Sequence, residues 1–140
     1  MRKVLVVDDD EDFLFIIAEY LSMNGMECHT ATSASRARNR FIHCDYDMVV
    51  SDLQMPGESG LELFGFVSLR RPELPFILMS GNMNPRIRRE ALRIGVCRVL
   101  EKPFELSELK RLITGPALCE AQHDIGPLSS RRPVTQMSAP

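Results

Sequence analysis

No apolar run in this sequence is long enough to cross a bilayer. The longest, such as 13–18, fall far short of the roughly 20 residues a spanning helix needs. The opening Met1-Arg2-Lys3-Val4-Leu5-Val6-Val7 resembles a secretory leader only until Asp8-Asp9-Asp10 interrupts it. Cys28, Cys44, Cys97 and Cys119 form no CxxC pair, and His29, His43 and His123 are equally scattered. That spacing argues against a zinc site or a disulfide framework, and the cysteines read as reduced thiols of a cytoplasmic protein. Charge of neither sign dominates. A formal net charge of -2 supplies no bulk field for nucleic acid or an anionic membrane, so neither is expected as a direct partner. Both GxxxxGK and GxGxxG are missing, which argues against a loop that cradles nucleotide phosphates.

What is present is an ordinary globular composition, 44% hydrophobic and 26% charged over 140 residues, enough for one domain. Short apolar runs alternate with amphipathic segments five times. The runs are 3–7, 26–31, 46–51, 76–79 and 97–100, with the second the least apolar and expected near an edge. Helical spacing follows each: Phe13, Ile16, Ile17, Tyr20 and Leu21; Ala34, Ala37 and Phe41 behind a Thr32-Ser33 cap; Leu63, Phe64 and Val67; Ile87, Ala91 and Ile94 behind Asn84-Pro85; and Leu106, Leu109 and Ile113. Gly25, Gly95 and Gly115-Pro116 stop three of these helices. Such alternation predicts an α/β fold, a doubly wound parallel sheet with helices on both faces. After Pro116 the periodicity fades into Gly, Pro and Ser, so residues 1–116 are expected to form the domain and 117–140 a flexible tail.

The ends of the apolar runs carry the chemistry. Asp8 and Asp9 follow the first, Asp52 the third, Ser80 the fourth and Lys102 the fifth. In a doubly wound sheet with the first strand central, these carboxyl ends converge on one crevice. Three carboxylates make an oxygen-rich site suited to Mg²⁺. An aspartate can attack phosphorus to give an acyl phosphate, and a hydroxyl and an ammonium can hold the phosphoryl oxygens. The pattern therefore points to metal-assisted phosphoryl transfer onto Asp52.

Asp8-Asp9, Asp52 followed by Met55-Pro56-Gly57, Ser80-Gly81 and Lys102-Pro103, in this order, resemble the receiver domain of two-component response regulators over residues 1–115. The resemblance implies a flavodoxin-like fold, five parallel strands in the order 2-1-3-4-5 with five helices. It implies that Asp52 accepts phosphate from a sensor histidine kinase or a phosphotransfer protein, and that a downstream protein partner reads the result. Mg²⁺ would be held by Asp9, Asp52 and the backbone carbonyl of Gln54, with Asp8 acting mainly through water. Ser80 and Lys102 would bind the phosphoryl group, and a cis peptide before Pro103 would help to aim Lys102. Two departures stand out. The position three before the lysine, often an aromatic that turns inward on activation, is Val99. Only a short segment follows the receiver-like part, as in stand-alone chemotaxis or phosphorelay proteins.

A haloacid-dehalogenase-like phosphatase would also use a strand-end Asp, here Asp8, with Mg²⁺, a serine and a lysine. It would need a further acidic pair after the lysine, where only Glu105 and Glu108 occur on a helix, and room for a cap. A degenerate receiver acting only as a binding module is the third alternative, against which the intact acids, Ser80 and Lys102 argue. Arg86, Arg88, Arg89 and Arg93 crowd the fourth helix, as a solvated face or as a contact surface for an acidic partner.

Overall fold

The computed structural model describes residues 2–115, so the expected tail at 117–140, with Cys119 and His123, lies outside the described residues. Five strands alternate with five helices: β1 Lys3–Val7, α1 Glu11–Met23, β2 Glu27–Ala31, α2 Ala34–His43, β3 Met48–Asp52, α3 Gly60–Arg70, β4 Phe76–Ser80, α4 Pro85–Ile94, β5 Arg98–Glu101 and α5 Leu106–Thr114. All strand pairs are parallel. The sheet order is β2-β1-β3-β4-β5, with the weakly apolar β2 at an edge.

The two-residue period of a strand explains why this sheet is covered twice. Val4 and Val6 of β1, Val50 of β3 and Ile77 and Met79 of β4 face one way. They pack with Leu14, Ile17 and Leu21 of α1 and Leu109 and Ile113 of α5. Leu5, Val7, Val49, Phe76 and Leu78 face the other way, against Ala37 and Phe41 of α2, Leu63, Phe64 and Val67 of α3, and Ala91 and Leu92 of α4. Every residue of β3 and β4 is buried. Each large apolar side chain so placed contributes about 1.5–3 kcal/mol.

Helix starts follow cap chemistry. Asp10, Ser33, Ser59 and Asn84 each accept the backbone N–H three residues on, and Ser59 with Glu62 closes a reciprocal capping box.

Three sequence expectations need correction. In α1 the buried stripe is Leu14, Ile17 and Leu21, whereas Ile16 is 52% exposed. Six consecutive apolar residues from Phe13 leave the phase of the helix undetermined by hydropathy. In α4 the stripe closes on Leu92 rather than Ile94, which is exposed. The cysteines are not all thiols: Cys28 and Cys44 are free, but Cys97 is disulfide-bonded. Pairing of cysteines is set by proximity in space, and spacing along the chain tests only local pairs. Among the described residues, no helix is long and apolar enough to cross a membrane.

Candidate functional site

The carboxyl edge of the sheet gathers the polar strand ends. Asp8 directly follows β1 and is 1% exposed; Asp52 ends β3 and is 7% exposed; Asp9 projects into solvent. Ligand oxygens of these three acids lie within 4.8 Å of one another. Lys102, just past β5, reaches across the edge. Its Nζ donates to Asp8 Oδ2 at 2.7 Å and lies 3.5 Å from Asp52 Oδ1. The other oxygen of Asp8 accepts the Asp10 backbone N–H at 3.0 Å.

Electrostatics follow from this placement. Burial pushes the Asp52 carboxyl up from 3.8 to about 6; the Asp8 charge adds to the rise, Lys102 opposes it and Asp9 adds a little more. For Lys102, burial works against the ammonium. The hydrogen bond and charge of Asp8, with the charge of Asp52, outweigh it and leave the pKa raised. One carboxylate is therefore satisfied by the lysine, and the other is held under electrostatic stress at neutral pH.

Ser80, the last residue of β4, is fully buried, and its Oγ accepts the Asn82 backbone N–H at 3.0 Å. The Ser80 carbonyl accepts the Lys102 backbone N–H at 2.9 Å, which ties these two strand ends together. The Lys102–Pro103 peptide bond is cis. Val99 is buried inside β5.

The segment 53–59 joins Asp52 to α3. Leu53 N–H continues the sheet pattern to Met79 O at 2.7 Å, and Gly60 N–H returns to Leu53 O at 2.9 Å, closing the loop on itself. Gly57 turns the chain at φ +83°, in the left-handed region. Gly60 has a different reason: a Cβ there would run into the Asp52 carbonyl and crowd the Leu78 side chain.

The structure thus brings Asp8, Asp9, Asp52 and Lys102 together and sets Ser80 beside Lys102 through the backbone. Four participants escaped the sequence reading. Phe13, read there only as a helix-stripe residue, places its ring 4.6 Å from Lys102 Nζ, with Phe104 edge-on to it at 6.0 Å. Asn82 donates from Nδ2 to Gln54 Oε1 at 3.2 Å, joining the loops after β3 and β4. Gly60 keeps α3 close to Asp52. The signal available in sequence was nearness to the strand-end motifs, since Asn82 is two residues past Ser80 and Phe13 four past Asp9.

Comparison with known proteins gives a consistent result. The family model described as response regulator receiver domain matches residues 4–114. The response regulator protein FleR of Pseudomonas aeruginosa is 34% identical over 116 residues, which cover 83% of this chain and 24% of that protein. The transcriptional regulatory protein FixJ of Azorhizobium caulinodans is 33% identical over 102 residues, 73% of this chain and 48% of that one. This chain therefore spans about a quarter to a half of the length of these relatives. Among solved structures, the chemotaxis protein CheY4 of Vibrio cholerae superposes with a TM-score of 0.77 at 26% identity, covering 81% of this chain and 96% of that one. The response regulator protein TrrA of Thermotoga maritima, solved in complex with Mg²⁺ and BeF, gives 0.72 at 30% identity, with the same coverage.

Proposed function

The chain belongs to the family of response regulator receiver domains, the phosphoacceptor modules of two-component systems, and from that premise we propose that Asp52 takes the phosphoryl group. The supporting observation is its place at the end of buried β3, 3.5 Å from Lys102 Nζ and inside a cluster of three acids. The donor is a phosphohistidine on a sensor kinase or a phosphotransfer protein. One Asp52 oxygen attacks phosphorus, a P–O bond forms and the P–N bond breaks. The imidazole leaves with the electron pair and is protonated from solvent.

The donor set fits Mg²⁺: the clustered side-chain donors are carboxylate oxygens only, and two of the three acids are buried. Asp9, Asp52 and the Gln54 carbonyl would hold it, with Asp8 reaching it through water. When bound, the ion offsets the charge of the phosphoryl oxygens and the carboxylates. Lys102 supplies a cation from the opposite side, already neutralising Asp8. The Ser80 hydroxyl, whose oxygen accepts from Asn82, keeps its own proton for a phosphoryl oxygen.

In this reading the chain is a cytoplasmic signalling module, and its chemistry is confined to making and losing its own aspartyl phosphate. The receiver unit is residues 1–116. Phosphorylation moves the loop after Ser80 and the arginine-bearing α4, and a downstream protein reads the change. Val99 stays a packing residue, since a β-branched side chain without a ring has no comparable sweep. Membership of the receiver family sets aside the phosphatase alternative.

The test is labelling by phosphoramidate, followed by intact mass. Wild type should gain one phosphoryl group only with Mg²⁺ present, and Asp52→Asn none. Equal labelling of both proteins would overturn the assignment.

A further inference from the structure

The loop after Asp52 carries the Gln54 carbonyl, and past the buried Met55 its tip is a Pro56-Gly57 turn with Gly57 in the left-handed region. Polar side chains tether it on two sides. Gln54 Oε1 accepts from Asn82 on one side. On the other, Glu58 Oε1 lies 2.6 Å from Arg38 Nη2 of α2. That oxygen is shut off from water and has no aligned hydrogen-bond donor, so the Arg38 charge is what compensates it. Arg38 is itself held. Its guanidinium lies 5.4 Å from the centroid of the Phe66 ring, which Phe41 meets edge-on at 6.3 Å and Arg70 covers at 3.8 Å. A guanidinium seated on an aromatic ring loses less freedom when it pairs.

We propose that the Arg38–Glu58 ion pair is a positioning strut that fixes the loop after Asp52 from α2, so that the Gln54 carbonyl stands ready for the divalent cation. The proposal rests on the Mg²⁺ reading given above. Neither residue touches the cation. Arg38 acts through Glu58, and Glu58 through the four-residue path back to Gln54. Without Arg38, the shielded Glu58 oxygen turns to water and draws the tip outward about the Gly57 turn. The carbonyl then has to be reordered each time the cation binds. Residues behind metal ligands commonly govern affinity in this way.

The experiment uses the full chain as wild type, Arg38→Ala, Arg38→Lys, Glu58→Gln and the exchanged pair Arg38→Glu/Glu58→Arg. Mg²⁺ affinity is read by calorimetric titration, and amide hydrogen exchange is followed at 55–59. Arg38→Ala should weaken Mg²⁺ about tenfold and speed exchange in the loop, while core strands β1, β3 and β4 keep wild-type protection. Arg38→Lys and the exchanged pair should recover part of the affinity, which loss of packing on Phe66 would not allow. A wild type that takes up Mg²⁺ beside an Arg38→Ala variant of equal affinity and equal loop exchange overturns the strut alone. A wild type that takes up no Mg²⁺ overturns both the strut and the reading beneath it. Global loss of protection in Arg38→Ala together with no recovery in the exchanged pair also overturns the strut, because Arg38 would then be a packing residue.

Discussion

Replacing Asp52 by Asn should make the metal-free protein more stable at neutral pH. The Asp52 carboxyl sits at about 6 in the folded chain against 3.8 ordinarily, because burial and the Asp8 charge outweigh Lys102. The folded state therefore binds more protons than the unfolded state between those values. Stability falls as pH rises through that window, and the full cost is present above it. A gap of roughly two pH units at about 1.36 kcal/mol each sets a ceiling near 3 kcal/mol. Asp52 is buried, but Asp9 beside it is exposed and Lys102 partly so, which lets water screen the charges around it, so about 1–2 kcal/mol is the expected effect. Asn keeps an oxygen near Lys102 and offers an amide to the neighbouring acids, without the charge. Urea unfolding in chelator at pH 3.5, 5.5 and 7.5 measures the difference. The Asn variant should gain little at pH 3.5 and about 1–2 kcal/mol at pH 7.5. Excess Mg²⁺ should then raise wild type much more than the variant. An Asn variant less stable than wild type at pH 7.5, or favoured equally at all three pH values, would refute the reasoning.

Three further outcomes follow from the same geometry. In calorimetric titrations, Mg²⁺ affinity should collapse in Asp9→Ala and Asp52→Ala, fall less in Asp8→Ala and survive in Lys102→Ala; near-wild-type affinity in Asp9→Ala would remove Asp9 from the proposed ligands. Gly60→Ala should destabilise the fold by about 1–3 kcal/mol and weaken Mg²⁺ binding, since the new Cβ forces α3 away from the Asp52 carbonyl; a neutral result in both thermal unfolding and titration would contradict it. With beryllofluoride, amide shifts should concentrate at 81–89 while the Val99 rotamer stays unchanged, and a repacked Val99 would show that its side chain takes part in the switch.

The fold was legible because β1, β3 and β4 carry unbroken apolar runs, 4–7, 48–50 and 76–79, each followed at once by a polar residue, with glycine and proline marking the exits. A parallel sheet covered on both faces leaves that trace. The strand ends of the site were legible for the same reason, since a strand's last residue is fixed by where its apolar run stops. Lateral contacts were not. Glu58 with Arg38 and Gln54 with Asn82 join loops and helices separated in sequence, and no periodicity encodes them. The face of α1 was misjudged because 13–18 is apolar at every position; Leu14 is buried and Ile16 is not because of where β1 and α5 lie. Cys97 shows the same limit for covalent pairing.

Asp8 and Lys102 are 94 positions apart, and this separation bears on how the chain is born. Both buried acids have been synthesised by residue 52, and their cation emerges about fifty residues later, some 3–10 seconds at ordinary elongation rates of about 5–20 residues per second. A nascent chain that compacted early around β1, β2 and β3 would bring three carboxylates together before Lys102 could stand beside them. Electrostatic repulsion thus disfavours a premature half-sheet, and the arrival of β5 relieves it. Asp8 and Asp52 therefore have no lysine ammonium beside them until β5 has been made.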